Sequence, residues 1–391
     1  MLEYVLAFLG LYAAVFYFLL YITQSERVGL DPEPKMLPSV SVIIPAYNEE
    51  ECIGKTIQSI LSLDYPKKKL EVIVVNDGSK DKTAEVAKHY TVKLINKKNS
   101  GKANSINVAL KHAKGELVAI MDADSFVTKG ALKKMVGYFG DPEVASVTAA
   151  MKVWEPKTAV QKLQTGEYLL NAFLKKLQSF VDGISVTPGP FSVYRKSVFK
   201  RLGGFDENTL TEDQEIALRI QSANMRIENS INAEVFTQVP KSIRSLFKQR
   251  RRWYLGYLQN IWKHKALFSP RYGDFGMFVL PFAAGLLVLS VASFLWAYFP
   301  RSLDLYLRFE PPTLSLIYLE LTPARVIFLF IFAINALAFY FTLRNTREYG
   351  FLGNFLSLVA VSFLMLVLWV GVLAEQIANL ARGFTPTWRG E

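Results

Sequence analysis

Asp122-Ala123-Asp124 carries the most specific chemistry in this 391-residue chain. In an extended segment, residues i and i+2 point the same way, so both carboxylates can face one hard cation. Mg2+ or Mn2+ held by one or two carboxylates, with phosphate and water completing its shell, is a common arrangement for handling nucleotides. A second acidic group, Thr211-Glu212-Asp213, follows a Gly-Gly turn. It reads as a helix start, with Thr211 as the N-cap and the acids against the positive end of the helix dipole. A carboxylate at such a position also projects into a cleft, which suits Asp213 as a general base. The third group is Gln249, Arg252 and Trp253, spaced i, i+3, i+4 and so on one helix face. An Arg beside an amide suits a diphosphate, and an indole suits the C–H face of a sugar. The same face also suits lipid headgroups at a membrane interface.

These groups need a frame, and the pattern from residue 38 onward supplies one. Apolar runs at 40–45 (VSVIIP), 70–76 (LEVIVVN), 92–95 and 117–121 (LVAIM) alternate with helical stretches at 49–63, 83–89 and 102–113. Continuous apolar strands separated by helices predict an α/β fold with a mostly parallel sheet covered on both faces. Ligands of such sheets lie beyond the carboxyl ends of the strands. Asn48 and Glu49 follow the first strand, Asp77-Gly78-Ser79 the second, and Asp122 and Asp124 the fourth, so three of four strand ends converge on one site. No GxxxxGK[ST] or GxGxxG run supports an ATPase or a dinucleotide enzyme. The single cysteine, Cys52, excludes an intramolecular disulfide framework and is expected to be a packed small residue. His89, His112 and His264 lack metal-ligand spacing and are given no role.

Hydrophobic residues make up 51% of the chain and charged ones 20%, which excludes a disordered polypeptide. Uncharged apolar stretches at 4–22, 275–299, 326–343 and 351–374 approach the roughly 20 residues that cross a bilayer core, predicting four spans. The first lacks a basic leader and a small-residue cleavage motif, so it is expected as an uncleaved anchor. The formal charge of +11 has an address: residues 241–273 hold nine Lys and Arg and no acid. The positive-inside rule then puts 24–274 in the cytoplasm and the N-terminus outside, in a multi-pass cell-membrane protein. The expected organisation is an N-terminal span at 1–23, an α/β domain at 38–240 and a basic interface helix at 241–274. Three spans at 275–376 and a tail at 377–391 follow. The amphipathic stretch 158–180 reads either as a core helix of the domain or as a helix lying on the membrane. Charge this localised, without an RNA- or DNA-binding motif, argues for no nucleic acid partner.

The order PAYNEE, VNDGS, NSGKANSINVAL, MDADS, GPFSVYR, GGFDENTLTED and QRRRW resembles the membrane-embedded, processive inverting glycosyltransferases of family 2. These include cellulose, chitin, hyaluronan and poly-N-acetylglucosamine synthases and the chitooligosaccharide synthases, whose layout of one span before the domain and three after it is the most similar. The resemblance implies a GT-A fold in which Tyr47, Glu49 and Asp77 hold uridine, with Lys102 nearby. It implies that Asp122 contacts the nucleotide, Asp122 and Asp124 serve the metal, and Asp213 deprotonates the acceptor hydroxyl. Gln249 and Arg252 would clasp the diphosphate, while Gly189, Pro190, Glu212 and Trp253 would line the acceptor.

The reaction implied is metal-dependent transfer from a UDP-sugar, UDP-GlcNAc or UDP-glucose, to a growing β-linked polysaccharide, coupled to translocation across the bilayer. The alternative is transfer of a single sugar to a lipid, as in ceramide glucosyltransferases. A non-catalytic subunit is opposed by intact acids at Asp77, Asp122, Asp124 and Asp213. Four spans are too few for one chain to enclose a polymer channel, which implies a homo-oligomer, a short product or a lipid-linked acceptor.

Overall fold

The computed structural model describes residues 2–285, 287–288, 291 and 323–382. The latter part of the expected span at 275–299, from residue 292 on, lies outside these, as do the segment 300–322 and the chain beyond 382. Among the described residues one eight-stranded sheet organises the domain, in the order β3-β2-β1-β4-β7-β6-β8-β5. Its strands are β1 Val40–Ala46, β2 Leu70–Asn76, β3 Lys93–Asn96, β4 Leu117–Ile120, β5 Ser125–Val127, β6 Val144–Val153, β7 Ser192–Arg195 and β8 Arg226–Thr237. The helices are α1 Leu2–Val28, α2 Ile53–Leu61, α3 Thr83–Lys88, α4 Lys102–Leu110, α5 Ala131–Val136, α6 Ala159–Ser179, α7 Lys196–Leu202, α8 Glu212–Ser222, α9 Ile243–Lys263, α10 Pro323–Thr346 and α11 Phe351–Ala381.

Every residue of β1 is buried because the strand is sandwiched. Alternate side chains point to opposite faces, so Val42 and Ile44 pack with Ile53, Ile57 and Ile60 of α2. On the other face Ile43 joins Ile106 of α4 and Ile216 and Ile220 of α8. The β3-β2-β1-β4 half is parallel, as the apolar runs predicted. Beyond it the sheet is mixed, because β7 runs antiparallel to both β4 and β6. That reversal matters for the site: it brings the segment preceding β7 to the carboxyl end of β4.

The boundaries differ from expectation for local reasons. Asn48 adopts a left-handed conformation (φ 55°), so α2 starts at Ile53 rather than 49. Helix α1 continues to Val28 because Thr23 and Ser25 bond back to the carbonyls of Leu19 and Ile22, and Val28 inserts beside Phe173 and Ile231. Helix α11 runs through residue 377, the expected start of the tail, as its polar end is held by Arg251 on Glu375. Thr211 occupies the N-cap position of α8 without a side-chain capping bond. Among the described residues three helical stretches, Ala7–Val28, Leu329–Thr346 and Phe351–Asn379, are long and apolar enough to cross a membrane, while Phe275–Gly285 is shorter.

Helix α6 resolves as a core helix with two apolar sides. Ala172, Phe173 and Leu177 meet Tyr21, Ala150 and Ile231, while Leu169 meets Phe339, Leu343 and Phe355 of α10 and α11. It is the layer between the sheet and the apolar helices.

The join between α8 and α9 rests on Glu215, whose carboxylate is fully buried. It accepts from Arg219 Nε at 2.7 Å and Lys263 Nζ at 2.7 Å, and pairs with His264 Nε2 at 3.2 Å. Burial alone would raise this carboxyl, but the bonds from His264 and Lys263 and the charge of Arg219 outweigh it and hold it at about 2. A depressed folded-state value stabilises above the ordinary carboxylate range and is lost as pH falls toward 2. Glu215→Ala, which removes the buried carboxylate shared by Arg219, Lys263 and His264, is expected to cost about 3–5 kcal/mol in chemical unfolding of the solubilised protein. A change below 1 kcal/mol would remove Glu215 from this role.

Candidate active site

In-step parallel pairing of β1 with β2 sets Ala46 against Asn76. The segments that follow, Tyr47–Glu49 and Asp77–Ser79, therefore leave the sheet side by side. They are laced together: Asn48 N–H donates to Ser79 Oγ at 3.0 Å, Lys80 N–H to Asn48 Oδ1 at 2.9 Å, and Glu49 N–H to Thr83 Oγ1 at 2.8 Å. Tyr47 and Glu49 are half-buried at the rim. Asp77 is buried, and its carboxylate is committed to its own side of the rim. It accepts from Lys97 Nζ, from Ser100 N–H at 3.0 Å and from Gly101 N–H at 2.8 Å. It thereby fixes the loop that leads into α4, and Lys97 is a partner that the sequence did not single out.

The centre of the site is a lysine between two acids. Lys102, the first residue of α4, places Nζ 2.6 Å from Asp122 Oδ1 and 3.0 Å from Glu212 Oε1. Antiparallel pairing of Ile120 with Ser192 brings Gly189 to the same place, where its carbonyl accepts from Asp122 N–H at 3.0 Å. A Cβ at residue 189 would collide with Lys102 Nζ and stand 2.7 Å from both Asp122 oxygens, so only glycine permits this approach. Pro190 follows it into β7. Thr187, on the same segment, donates from N–H at 3.2 Å and from Oγ1 at 2.8 Å to the carbonyl of Asp213. Strand ends, the pre-β7 loop and the start of α8 thus close on one another.

The electrostatics follow from crowding acids around few cations. Burial would lower Lys102, but Asp122, Glu212 and Asp213 outweigh it and raise its affinity for the proton. Burial would raise Glu212, but Lys102 and Arg252 outweigh that and hold its carboxyl below the ordinary range. Its neighbour goes the other way: burial and the Glu212 charge push Asp213 up to about 6. Asp124 also rises to about 6, through burial and then Asp122. Glu49 rises to about 8 through burial and then the charges of Asp124 and Asp122.

Among the described residues no trio of His, Cys, Asp and Glu is gathered for a metal. Two carboxylates suffice for a hard cation that keeps phosphate and water ligands. Repulsion between Asp122 and Asp124 is the strain that such a cation relieves, so this donor set fits Mg2+ or Mn2+.

Helix α9 forms the fourth wall. Arg252 Nη1 donates to the Leu210 carbonyl at 3.0 Å, which ties it to the segment entering α8. Gln249 is half-buried, and its Oε1 is enclosed without a hydrogen-bond partner among the described residues. Trp253 lies under the guanidinium of Arg250, 4.3 Å from its ring centre, so one of its faces is already taken. Gly256 and Asn260 continue the stripe of Gln249, Arg252 and Trp253 and were missed by the sequence reading. Asn260 is fully buried and donates to the Thr211 carbonyl at 3.0 Å and Thr211 Oγ1 at 2.9 Å, while a Cβ on Gly256 would strike Thr211. A small residue and a buried amide on the same helical face were the available signal.

The family model "Glycosyl transferase family 2" matches residues 41–203. Poly-beta-1,6-N-acetyl-D-glucosamine synthase of Staphylococcus epidermidis is 30% identical over 297 residues, covering 73% of this chain and 69% of that one. The protein of the same name from Staphylococcus aureus (strain COL) is 29% identical over 309 residues, 74% of this chain and 71% of that one. In fold, the chain is similar to mannosyltransferase PcManGT from Pyrobaculum calidifontis, solved in complex with GDP-Man and Mn2+. The TM-score is 0.56 at 24% identity, over 87% of this chain and 98% of that one.

Proposed function

The chain belongs to glycosyl transferase family 2 and is a glycosyltransferase, and from that premise we propose that it extends a β-linked polysaccharide from UDP-GlcNAc. The observation that carries this reading is the contact of Lys102 with both Asp122 and Glu212, which joins the strand-end acids to the acids of α8. The identity to poly-N-acetylglucosamine synthases supports the donor and the polymeric product. The apolar helices and the basic helix α9 support a catalytic domain of residues 38–240 on the cytoplasmic face of a membrane.

Tyr47, Glu49 and Asp77 line the nucleotide side, where a carboxyl raised as far as that of Glu49 is largely protonated and can donate a hydrogen bond. A divalent cation, Mg2+ or Mn2+, held by Asp122 and Asp124, would supply positive charge against the diphosphate. Lys102 and Arg252 are the chain's own cations beside that position, and Gln249 offers an amide. Asp213 takes the proton of the acceptor hydroxyl as that oxygen attacks the anomeric carbon opposite the leaving diphosphate, which inverts the centre and yields a β linkage. Glu212, paired with Lys102, stays ionised and keeps Asp213 basic enough to accept it.

Membranes containing the protein, incubated with radiolabelled UDP-GlcNAc, UDP-glucose or GDP-mannose and either cation, are expected to form a polymer ladder from UDP-GlcNAc. A single sugar on lipid, or turnover of another donor alone, would replace this reading. In the same assay at saturating metal, the rate is expected to fall about tenfold per unit below pH 6, since Asp213 acts ionised and is held at about 6. Asp124 ionises in the same range, but its share shifts with metal concentration whereas that of Asp213 does not. A rate that stays flat down to pH 5 would count against Asp213.

A further inference from the structure

Arg250 is the neighbour of Gln249 in sequence, yet it points away from the diphosphate side. It is 3% exposed. One guanidinium nitrogen, Nη2, donates to Glu167 Oε2 of α6 at 2.9 Å, and Nε is enclosed without a partner among the described residues. Its planar face covers Trp253 at 4.3 Å and lies 6.0 Å from the ring of Tyr168. Energetically this is a poor structural element. A buried ion pair often does no better than apolar side chains of similar volume, and an unmatched N–H adds a penalty. Leu246 and Leu255 on the same helix pack among Val361, Met365, Leu368 and Val372 of α11, so an apolar residue at 250 has ready neighbours.

What the arrangement does provide is direction. A guanidinium held by Glu167 covers one face of the Trp253 ring and fixes the ring plane, and the indole is half-buried. We propose that the Glu167–Arg250 pair is a positioning device for Trp253 that sets how the acceptor sugar is held. This rests on the reading of Trp253 as an acceptor platform. Glu167 and Arg250 are positioning residues: they act through the indole and need touch no substrate. The device also links the platform to α6, the layer that packs on the apolar helices, so the acceptor end is registered against the membrane-side helices and not against the donor pocket.

The test uses full-length protein in membranes, UDP-GlcNAc as donor and a β-1,6-linked N-acetylglucosamine oligomer as acceptor. Glu167→Gln, Trp253→Phe and their double variant are compared with wild type. Glu167→Gln is expected to raise acceptor KM roughly tenfold, the scale of one desolvated cation–π contact. UDP release without acceptor should be unchanged, and the double variant should be no worse than Trp253→Phe alone, because both changes act on one contact. If Trp253→Phe raises acceptor KM and Glu167→Gln does not, the positioning role is wrong while the platform reading stands. If Glu167→Gln slows UDP release without acceptor as much as transfer, the pair is merely structural and the proposal fails. If Trp253→Phe leaves acceptor KM at the wild-type value, the platform reading falls and takes the proposal with it. Should Glu167→Gln not accumulate, Arg250→Lys gives the same comparisons, since it keeps the charge but loses the planar stack.

Discussion

Asp213→Asn is expected to lower sugar transfer by roughly 10²–10⁴-fold, the range of a lost general base, while binding of UDP-GlcNAc stays within a few-fold of wild type. The substitution is nearly isosteric, and the amide oxygen can still accept the 2.9 Å bond that Gln214 N–H makes to Oδ1. The fold is expected to tolerate it for an electrostatic reason. Burial and Glu212 raise the folded-state value of Asp213 to about 6, so above that pH its ionisation favours the unfolded chain, where the group titrates normally. A neutral side chain removes that cost. Unfolding at pH 8 should therefore occur at the same or a higher temperature than in wild type, together with near-complete loss of turnover. This pairing of lost activity with retained or gained stability marks a residue kept for chemistry. Turnover near the wild-type rate would falsify the assignment.

Gly189→Ala is expected to reduce transfer by about 10²-fold, comparable to removing one preorganised charge-stabilising donor. The added methyl meets the end of the Lys102 side chain and both Asp122 oxygens. Lys102 is flexible and will give way, so the backbone and the 3.0 Å bond from Asp122 N–H to the residue 189 carbonyl should persist. The pairing of Lys102 with Asp122 and Glu212 will not persist. Two comparisons isolate that cause. Lys102→Met should lose a similar factor, and the double variant should be no slower than Lys102→Met, because both changes remove one interaction. Additive losses would mean that residue 189 acts on the acceptor directly.

Much of this could be read locally. The buried runs of β1, β2 and β4 and the acids that end them are patterns within a few residues, and strand direction then places Glu49, Asp77 and Asp122 at one edge. The shared face of Gln249, Arg252 and Trp253 follows from helical period alone. Asp122 and Asp124, by contrast, sit in a turn closed by Ser125 N–H on the Asp122 carbonyl and not in the extended segment that their i, i+2 spacing suggested. The apolar stretches at 4–22 and 351–374 needed only length and lack of charge. Helix ends were less legible: the left-handed Asn48 and the hydroxyl bonds that prolong α1 depend on neighbours that no local pattern specifies.

Contacts across the chain were decided by tertiary structure. That β7 enters between β4 and β6 in the opposite sense is not written in its four residues, SVYR, yet it puts Gly189 on Asp122. Lys102 meets Glu212, and Arg250 meets Glu167 across 83 residues, because α4, α6 and α8 are packed on that sheet and α9 packs on α8 and α11. The same packing commits Asp77 to its own loop, turns Thr211 toward Asn260 instead of its helix, and splits Glu212 and Asp213 into a held anion and a poised base. Period and composition determine which face of an element is buried and where its charges lie. The partner of each face is set by how the elements close on one another, and a carboxylate's affinity for its proton depends on that partner.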